Sequence, residues 1–184
     1  MKLFAVTCLV LAYGTGSAVA TSPNHCESGE EVLWNCAIQH SRKLASLCGI
    51  TNQEVGSSKY IQYRFGLPGK IEFQFPAARR REDVMNQFHI ADGYNAQFLR
   101  LTSLGFENHG YIYEMWFEEE RLRGAGTRRS ASIVTFRSGK RGGAGEMHEF
   151  KCKNANEREV ELMHMGDIVK EFSSPGFRYT EQLD

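Results

Sequence analysis

Four cysteines have the most informative spacing in this chain: Cys26, Cys36 and Cys48 lie close together, and Cys152 lies far downstream. Thiols of this kind ligate a metal, form a redox centre or pair as disulfides. Structural zinc sites use close pairs such as C-x2-C, whereas nine and eleven residues separate the first three cysteines here. A redox centre needs C-x-x-C, which does not occur in the sequence. The spacing therefore predicts two disulfides, no metal site and no cofactor.

The first twenty residues indicate the compartment in which these cysteines are found. Lys2 precedes an apolar run that ends in the small residues A-V-A, the pattern of a secretory signal peptide. We predict a signal peptide over residues 1–20 and a single β-rich domain over residues 21–184. The apolar run is shorter than the roughly 20 residues that span a bilayer, and no membrane span is expected. Removal of the signal peptide also removes Cys8, which leaves four cysteines in an oxidising, periplasmic or secreted environment.

A predicted hairpin suggests how the four cysteines pair. A strand that ends shortly after Cys36 and a return strand that ends at Cys48 are separated by a polar turn centred near Arg42. A turn at that position places the two cysteines opposite each other. We therefore expect a Cys36–Cys48 disulfide, which leaves Cys26 and Cys152 as the second pair. Four cysteines allow three pairings, so the other two stay open.

Much of the remaining chain has the alternation of antiparallel strands. Residues 60–65 and 70–75 alternate apolar and polar side chains around a Gly-Leu-Pro-Gly turn, the pattern of a half-buried β-hairpin. Aromatic and β-branched residues predict further strands over residues 97–101, 111–117, 132–136 and 146–152. The tail over residues 157–172 fits a helix or a strand pair. Short, closely spaced strands predict a mainly β fold, an antiparallel sandwich or barrel of about seven to nine strands with two disulfides.

Charge limits the classes of partner that are expected. The chain has 22 basic and 22 acidic residues, and without Lys2 its net charge is close to −1. A nucleic-acid-binding domain is normally strongly basic, so no nucleic-acid partner is expected. Arginine is concentrated in two glycine-containing segments, residues 121–129 and 137–145.

The first of these arginine-rich segments supplies the candidate binding residues, Arg121, Arg123, Arg128 and Arg129. Loops that project from a rigid scaffold commonly carry binding residues. The second segment lacks the G-x-x-x-x-G-K-[ST] pattern of a phosphate-binding loop, so it is interpreted as a hairpin loop.

Catalytic signatures do not occur in the sequence. Neither H-E-x-x-H nor G-x-S-x-G is present, and the six histidines are scattered along the chain. We therefore assign no catalytic residues, and the sequence favours a non-enzymatic function without excluding an enzyme.

The residues between Cys26 and Pro76 resemble a group of exported bacterial proteins that have no assigned activity. The shared features are a cysteine-bearing hairpin, the strand Tyr60-Ile-Gln-Tyr-Arg-Phe-Gly66, a second hairpin and a late cysteine. This resemblance implies a periplasmic or secreted location and a β-rich fold, and it carries over no functional residues. The chain is also distantly similar to periplasmic inhibitors of C-type lysozyme, which are small disulfide-bonded β-barrels. The loop serine and lysine motifs of those inhibitors have no clear match here.

These observations favour a non-enzymatic binding module in the periplasm or outside the cell. Its expected partner is a protein of the cell envelope or a secreted lysozyme-like enzyme, which the module would inhibit or neutralise. One alternative is a carbohydrate-active hydrolase that uses a pair of carboxylates not marked by a motif. The other is a structural component of the envelope with neither partner nor substrate.

Overall fold

The computed structural model describes residues 22–51, 59–79, 84, 86–96, 99–124, 126–138 and 147–153. The predicted signal peptide, the glycine-rich segment 139–145 and the tail over residues 157–172 lie outside these ranges, and the predicted domain boundaries stay predictions. Within the described ranges, no helix has the length and apolar character that crossing a membrane requires.

Nine strands are described, in two antiparallel sheets. They are β1 (Glu31–Ala37), β2 (Leu44–Ile50), β3 (Tyr60–Leu67), β4 (Lys70–Phe75), β5 (Phe88–Ala96), β6 (Leu99–Asn108), β7 (Tyr111–Leu122), β8 (Gly126–Arg137) and β9 (His148–Lys151). Strands β1 to β4 form one sheet in sequence order, and β5 to β9 form the other. The predicted fold class, mainly β with antiparallel strands and two disulfides, is confirmed.

Period-two alternation builds the four-stranded sheet as predicted. On β3, Ile61 and Tyr63 face the second sheet and belong to the core. Gln62 and Arg64 alternate with them and therefore face away from it. The turn to β4 contains Gly69 with φ of 74°, a left-handed conformation that glycine adopts without strain.

The first strand of the second sheet, β5, is absent from the strands predicted above. It contains Asp92, Gly93 and Asn95, residue types that are depleted in strands. Its pairing with β6 is irregular between Asp92 and Asn95. Local composition therefore gave no signal for a strand that tertiary contacts with β6 stabilise. Strands β7 and β8, each of 12 residues, are also longer than predicted.

The two sheets cross steeply. Phe88, Phe106 and Tyr113 are register partners on three consecutive strands, β5, β6 and β7. On β4, Phe75 contacts the rings of Phe88 and Phe106. Phe73, two residues earlier on β4, contacts the rings of Phe106 and Tyr113. Strand β4 therefore runs across the strands of the second sheet, the arrangement of an orthogonal β-sandwich.

A disulfide closes the corner of the sandwich at which β1 meets the end of β9. Ile38, just after β1, forms an isolated antiparallel bridge with Cys152, just after β9. The Cys36–Cys152 disulfide lies beside this bridge. Strand β1 is thus joined to the end of β9, while β4 meets β5 at the diagonally opposite corner.

Both sheets contribute to a single hydrophobic core. Its largest fully buried apolar side chains are Trp34, Leu47 and Ile61 from the first sheet and Phe88, Phe106, Met115 and Ile133 from the second. The core therefore lies between the crossed sheets and fixes the position of the strands that extend beyond it.

Candidate functional site

The disulfides join different partners from those predicted. Cys26 is bonded to Cys48 and Cys36 to Cys152, with Cα–Cα distances of 5.3 and 5.2 Å. The expected Cys36–Cys48 and Cys26–Cys152 pairs are therefore wrong, although the number of disulfides is as predicted. Two disulfides indicate a non-cytoplasmic environment.

The register of the first hairpin explains the observed pairing. Its turn lies around His40, which has φ of 55°, earlier than the predicted turn. Cys36 therefore lies opposite Ala45, and Cys48 lies opposite Val32. Cys36 belongs to the core, whereas Cys48 follows a core residue on its strand and so faces outward. Because side chains alternate along a strand, this small change of register puts the two sulfurs on opposite faces of the sheet.

Residues 22–30 precede β1 and cross the outward face of the four-stranded sheet; we call this segment the strap. One disulfide fastens it to β2. Asn35 donates a hydrogen bond to the carbonyl oxygen of Pro23 at 3.0 Å. The backbone amide of His25 donates to the hydroxyl of Ser46, also at 3.0 Å. Side chains of the sheet thus bind the backbone of the strap.

An ion pair is buried beneath the strap. The side chains of Arg64 and Glu30 are 0% and 3% exposed, and two nitrogens of Arg64 each donate to one oxygen of Glu30 at 2.6 Å. Arg64 also donates to the side-chain oxygen of Gln62 at 2.9 Å and to the carbonyl oxygen of His25 at 2.8 Å. The hydroxyl of Tyr60 donates to Glu30 at 2.6 Å. A buried charge is tolerated when it is paired and hydrogen-bonded, and both charges meet that condition.

Hydrogen bonding keeps the Glu30 carboxylate ionised. Burial would raise its pKa, but hydrogen bonds from Arg64, Tyr60 and the backbone of Glu27, with the Arg64 charge, outweigh burial and lower the pKa below its ordinary 4.5. The neighbouring carboxyl of Glu27 has its pKa lowered chiefly by hydrogen bonds from Arg79. Burial, and then the hydrogen bond to Glu30, raises the pKa of Tyr60. The Tyr60 hydroxyl therefore keeps the proton that it donates.

Three metal-type ligands meet at the strap: the sulfurs of Cys26 and Cys48 and the carboxylate of Glu30 lie within 4.8 Å of one another. The two sulfurs are bonded to each other. Each oxygen of Glu30 already accepts two hydrogen bonds. Metal binding requires free thiolates and available lone pairs, so the oxidised protein does not offer these three groups to a metal.

The four arginines predicted to bind a partner lie at the end of the β7–β8 hairpin, three of them on its strands. Strands β7 and β8 stay paired as far as Leu122 and Gly126. Core residues end at Phe117 on β7 and Ala131 on β8. Residues 118–124 and 126–130 therefore lie beyond the described core residues, and Glu118 to Glu120 are also paired with β6. We call the segment 118–130 the arm.

Two ion pairs join the strands at the base of the arm. Arg128 forms an ion pair with Glu120 at 2.5 Å, and Arg129 forms one with Glu119 at 3.2 Å. Both pairs join register neighbours across the hairpin. The arm contains four arginines and three glutamates, so its net charge is +1. The base of the arm is therefore a mixed-charge surface.

The cationic character is concentrated at the tip of the arm. Arg121 and Arg123 lie beyond the last glutamate–arginine pair, and both are exposed. Leu122 lies between them and is 37% exposed. Gly124 turns the chain with φ of 74°. The tip thus has exposed arginine side chains and an exposed leucine, with Arg121 and Leu122 on opposite faces of the hairpin. Arginine is enriched at protein interfaces.

A second buried carboxylate lies on the outward face of the five-stranded sheet. Glu114 accepts a hydrogen bond from the indole of Trp116 at 2.6 Å, and its other oxygen lies 3.7 Å from Nε2 of His89. Gly105 lies between His89 and Glu114 in the register. A Cβ atom on Gly105 would come within 2.5 Å of His89 Nε2 and 2.9 Å of Glu114 Cγ. The glycine is therefore required for the imidazole and the carboxylate to approach.

Comparisons of the chain with protein-family models, curated proteins and solved structures give no match.

The buried polar groups were missed by the sequence reasoning above. Gln62 and Arg64 occupy the polar positions of an alternating strand, and such positions are normally exposed to solvent. The strap covers them, and nothing in its composition predicts where it lies. The pairing within the arm had a detectable signal, because three glutamates at 118–120 precede a glycine turn and two arginines follow it.

Proposed function

We propose that the protein is an exported, non-enzymatic interaction module that binds a protein partner through the arm, residues 118–130. The observation that carries this proposal is the tip, where Arg121, Leu122 and Arg123 are exposed beyond the core. Exposed arginine beside an apolar side chain suits a partner surface on which an apolar depression is bordered by carboxylates.

The scaffold supports this role because it holds the arm in place before binding. The arm continues β7 and β8, whose inner halves pack into the core through residues such as Met115 and Ile133. Two cross-strand ion pairs brace its base. A binding element that is already ordered loses less conformational entropy when it associates.

The proposed location is the periplasm or the extracellular space. The two disulfides support an oxidising compartment, and the A-V-A pattern at the end of the first twenty residues supports export. The proposed partner is an envelope protein or a secreted lysozyme-like enzyme with an acidic surface. Binding to such an enzyme would inhibit it.

A hydrolytic function has less support from the carboxylates that are described. Glycoside hydrolases use two carboxyl groups that face one substrate site. The two buried carboxylates, Glu30 and Glu114, lie on the outward faces of different sheets. Glu30 is held in an ion pair, and Glu114 accepts a hydrogen bond from Trp116. These two do not form a glycosidase pair.

A capture experiment tests the proposal. The oxidised protein is immobilised and exposed to periplasmic extract and to a panel of purified lysozymes, and retained proteins are eluted with salt. The tip variant Arg121→Ser/Arg123→Ser is compared with Arg42→Ser/Lys70→Ser, which removes two exposed cations from the turns of the other sheet. We expect one near-stoichiometric protein, retained by the native chain and the control but at least tenfold less by the tip variant.

The four arginines are best tested as two pairs. Removing Arg128 and Arg129 as well would leave Glu119 and Glu120 without their cross-strand partners, so the quadruple variant changes the arm as well as its charge. Equal capture by the native chain and the tip variant, at low and at high salt, would show that the arm is not the binding element.

A further inference from the structure

The outward face of the four-stranded sheet is polar, yet it is almost fully buried. Asn35, Ser46, Gln62 and Arg64 all point to this face, and their exposed fractions are between 0% and 6%. A polar sheet face of an antiparallel sheet is normally left to solvent. Here the strap, residues 22–30, covers it, accepts hydrogen bonds from Asn35 and Arg64 and donates one to Ser46.

The donors on this face converge on one carboxylate. Arg64 presents two nitrogens in a fork, and Tyr60 adds a hydroxyl, all at 2.6 Å from the oxygens of Glu30. A planar guanidinium that binds both oxygens of a carboxylate is a geometry specific for that group. Gln62 fixes Arg64 by accepting from its Nε while donating to the carbonyl oxygen of Pro76 at 2.7 Å. The guanidinium is therefore oriented by the sheet as well as by the strap.

Two side chains of the strap also make contacts: the His25 ring lies 3.3 Å from the carbonyl oxygen of Gly66, and Glu27 pairs with Arg79. Further contacts are made to the backbone of the strap. The sheet donates to the carbonyl oxygens of Pro23 and His25 and accepts from the amide of His25. Backbone contacts of this kind do not depend on the side chains of the bound segment, which is how extended peptides are commonly held. The face thus has the parts of a peptide site: contacts along the backbone, a buried anchor for one acidic side chain at Arg64 and a partly exposed cation, Arg79, for another.

We propose that this face is a binding site for an extended acidic peptide, that the strap occupies it as an internal ligand, and that the Cys26–Cys48 disulfide keeps it occupied. The proposal concerns a different surface from the arm and does not depend on the function proposed for it.

Release of the strap requires reduction of that disulfide. Of the four paired cysteines, Cys26 is partly exposed while Cys36, Cys48 and Cys152 are buried. A thiolate of a dithiol attacks the sulfur of Cys26, forms a mixed disulfide and releases Cys48 as a thiolate, which takes up a proton. The second thiol of the reagent then attacks the mixed disulfide. This step frees Cys26 as a thiol and leaves the reagent oxidised, with Cys36–Cys152 intact.

The test uses a fluorescently labelled peptide with the sequence of residues 22–30, in which serine replaces the cysteine. Fluorescence anisotropy measures the binding of this peptide to the oxidised native chain and to the variant Cys26→Ser/Cys48→Ser/Glu30→Gln. The strap of this variant has neither its disulfide nor the carboxylate of residue 30. We expect the variant to bind the peptide and the oxidised native chain not to bind it. A peptide with glutamine at the position of Glu30 should bind the variant at least tenfold more weakly.

A second measurement covers the case in which the triple variant does not fold. In Cys26→Ser/Cys48→Ser, which keeps Glu30, excess peptide should speed hydrogen exchange at the amide of His25, because it displaces the strap. Three results would each overturn the proposal. They are a folded variant that binds neither peptide, a variant that binds both peptides equally, and hydrogen exchange of the strap that the peptide does not change. The tip variant Arg121→Ser/Arg123→Ser, combined with the triple variant, should bind the peptide unchanged, so this result and the capture result are independent.

Discussion

Arg64 and Glu30 form a bidentate ion pair across the boundary between the strap and the four-stranded sheet, with both nitrogen–oxygen distances at 2.6 Å. The cation belongs to β3 and the anion to the segment before β1. Neither charge has access to solvent, since their side chains are 0% and 3% exposed. Arg64 is therefore buried only when the strap is bound to the sheet. Loss of either member of the pair removes the bidentate partner of the other charge.

Substitution of Glu30 tests this coupling. Removing one member of a buried ion pair typically costs about 3 to 5 kcal/mol, because the remaining charge stays buried and uncompensated. We expect Glu30→Gln to lower the free energy of unfolding by about 3 kcal/mol, measured by urea denaturation at pH 7. Glu27→Gln is the matched control: Glu27 is 54% exposed and pairs with a partly exposed Arg79. Its loss should cost less than about 1 kcal/mol, and equal effects would contradict the buried-pair account.

The same carboxylate predicts how stability depends on pH. The folded-state pKa of Glu30 lies below the ordinary value of 4.5, so the unfolded chain takes up a proton at a higher pH than the folded chain does. The stabilisation from this group is therefore complete above the unfolded value. It is lost as the pH falls below 4.5 and through the lower folded-state pKa. Denaturation series between neutral and acidic pH should show a steeper acid loss for the native chain than for Glu30→Gln; parallel curves would argue against a depressed pKa.

The two disulfides are expected to differ in their effect on stability. They close loops with sequence separations of 22 and 116 residues. Chain entropy gives about 3 kcal/mol for the shorter loop and about 5 kcal/mol for the longer. Replacing Cys36 and Cys152 with serine should therefore lower the free energy of unfolding more than replacing Cys26 and Cys48 with serine. Peptide mapping of the unreduced chain by mass spectrometry checks the connectivity first; a Cys36–Cys48 fragment would contradict it.

Gly105 offers a test of the outward face of the five-stranded sheet. Its added methyl would lie 2.5 Å from Nε2 of His89 and 2.9 Å from Glu114 Cγ. Overpacking of this kind costs about 1 to 3 kcal/mol. Because both obstacles are side-chain atoms and the nearer belongs to His89, the double variant Gly105→Ala/His89→Ala should lose less stability than the sum of the single variants. Gly49→Ala is the contrast: its methyl would meet the backbone oxygen of Tyr60 at 2.6 Å, an obstacle that no side-chain truncation relieves. Additive losses at Gly105 would show that His89 is not the obstacle.

The sequence predicted best those strands in which apolar and polar residues alternate. Strands β3 and β4 alternate cleanly, so their hairpin was located to within a residue or two. Strand β5 was missed because Asp92, Gly93 and Asn95 disfavour strands locally. Cysteine pairing failed for a geometric reason: a turn displaced to His40 changes which face of the sheet each sulfur lies on.

The candidate site was predictable in part. Composition located the arginines of the arm, but the partners of Arg128 and Arg129 depend on the register of β7 with β8. Burial of Arg64 was not predictable, because the strap is bound to the sheet through hydrogen bonds between residues 12 to 41 positions apart. Contacts of that kind leave no period in a sequence.

The order of the strands along the chain has a consequence for how the disulfides form. Every residue of the four-stranded sheet precedes residue 76, and its strap disulfide joins residues 26 and 48. A chain that emerges amino terminus first has both of these cysteines, and the β1–β2 hairpin, long before Cys152 arrives. Cys36 meanwhile stays an unpartnered thiol, separated from its partner by 116 residues. Once Cys26–Cys48 has closed, Cys152 is the one partner left for Cys36 among the four paired cysteines.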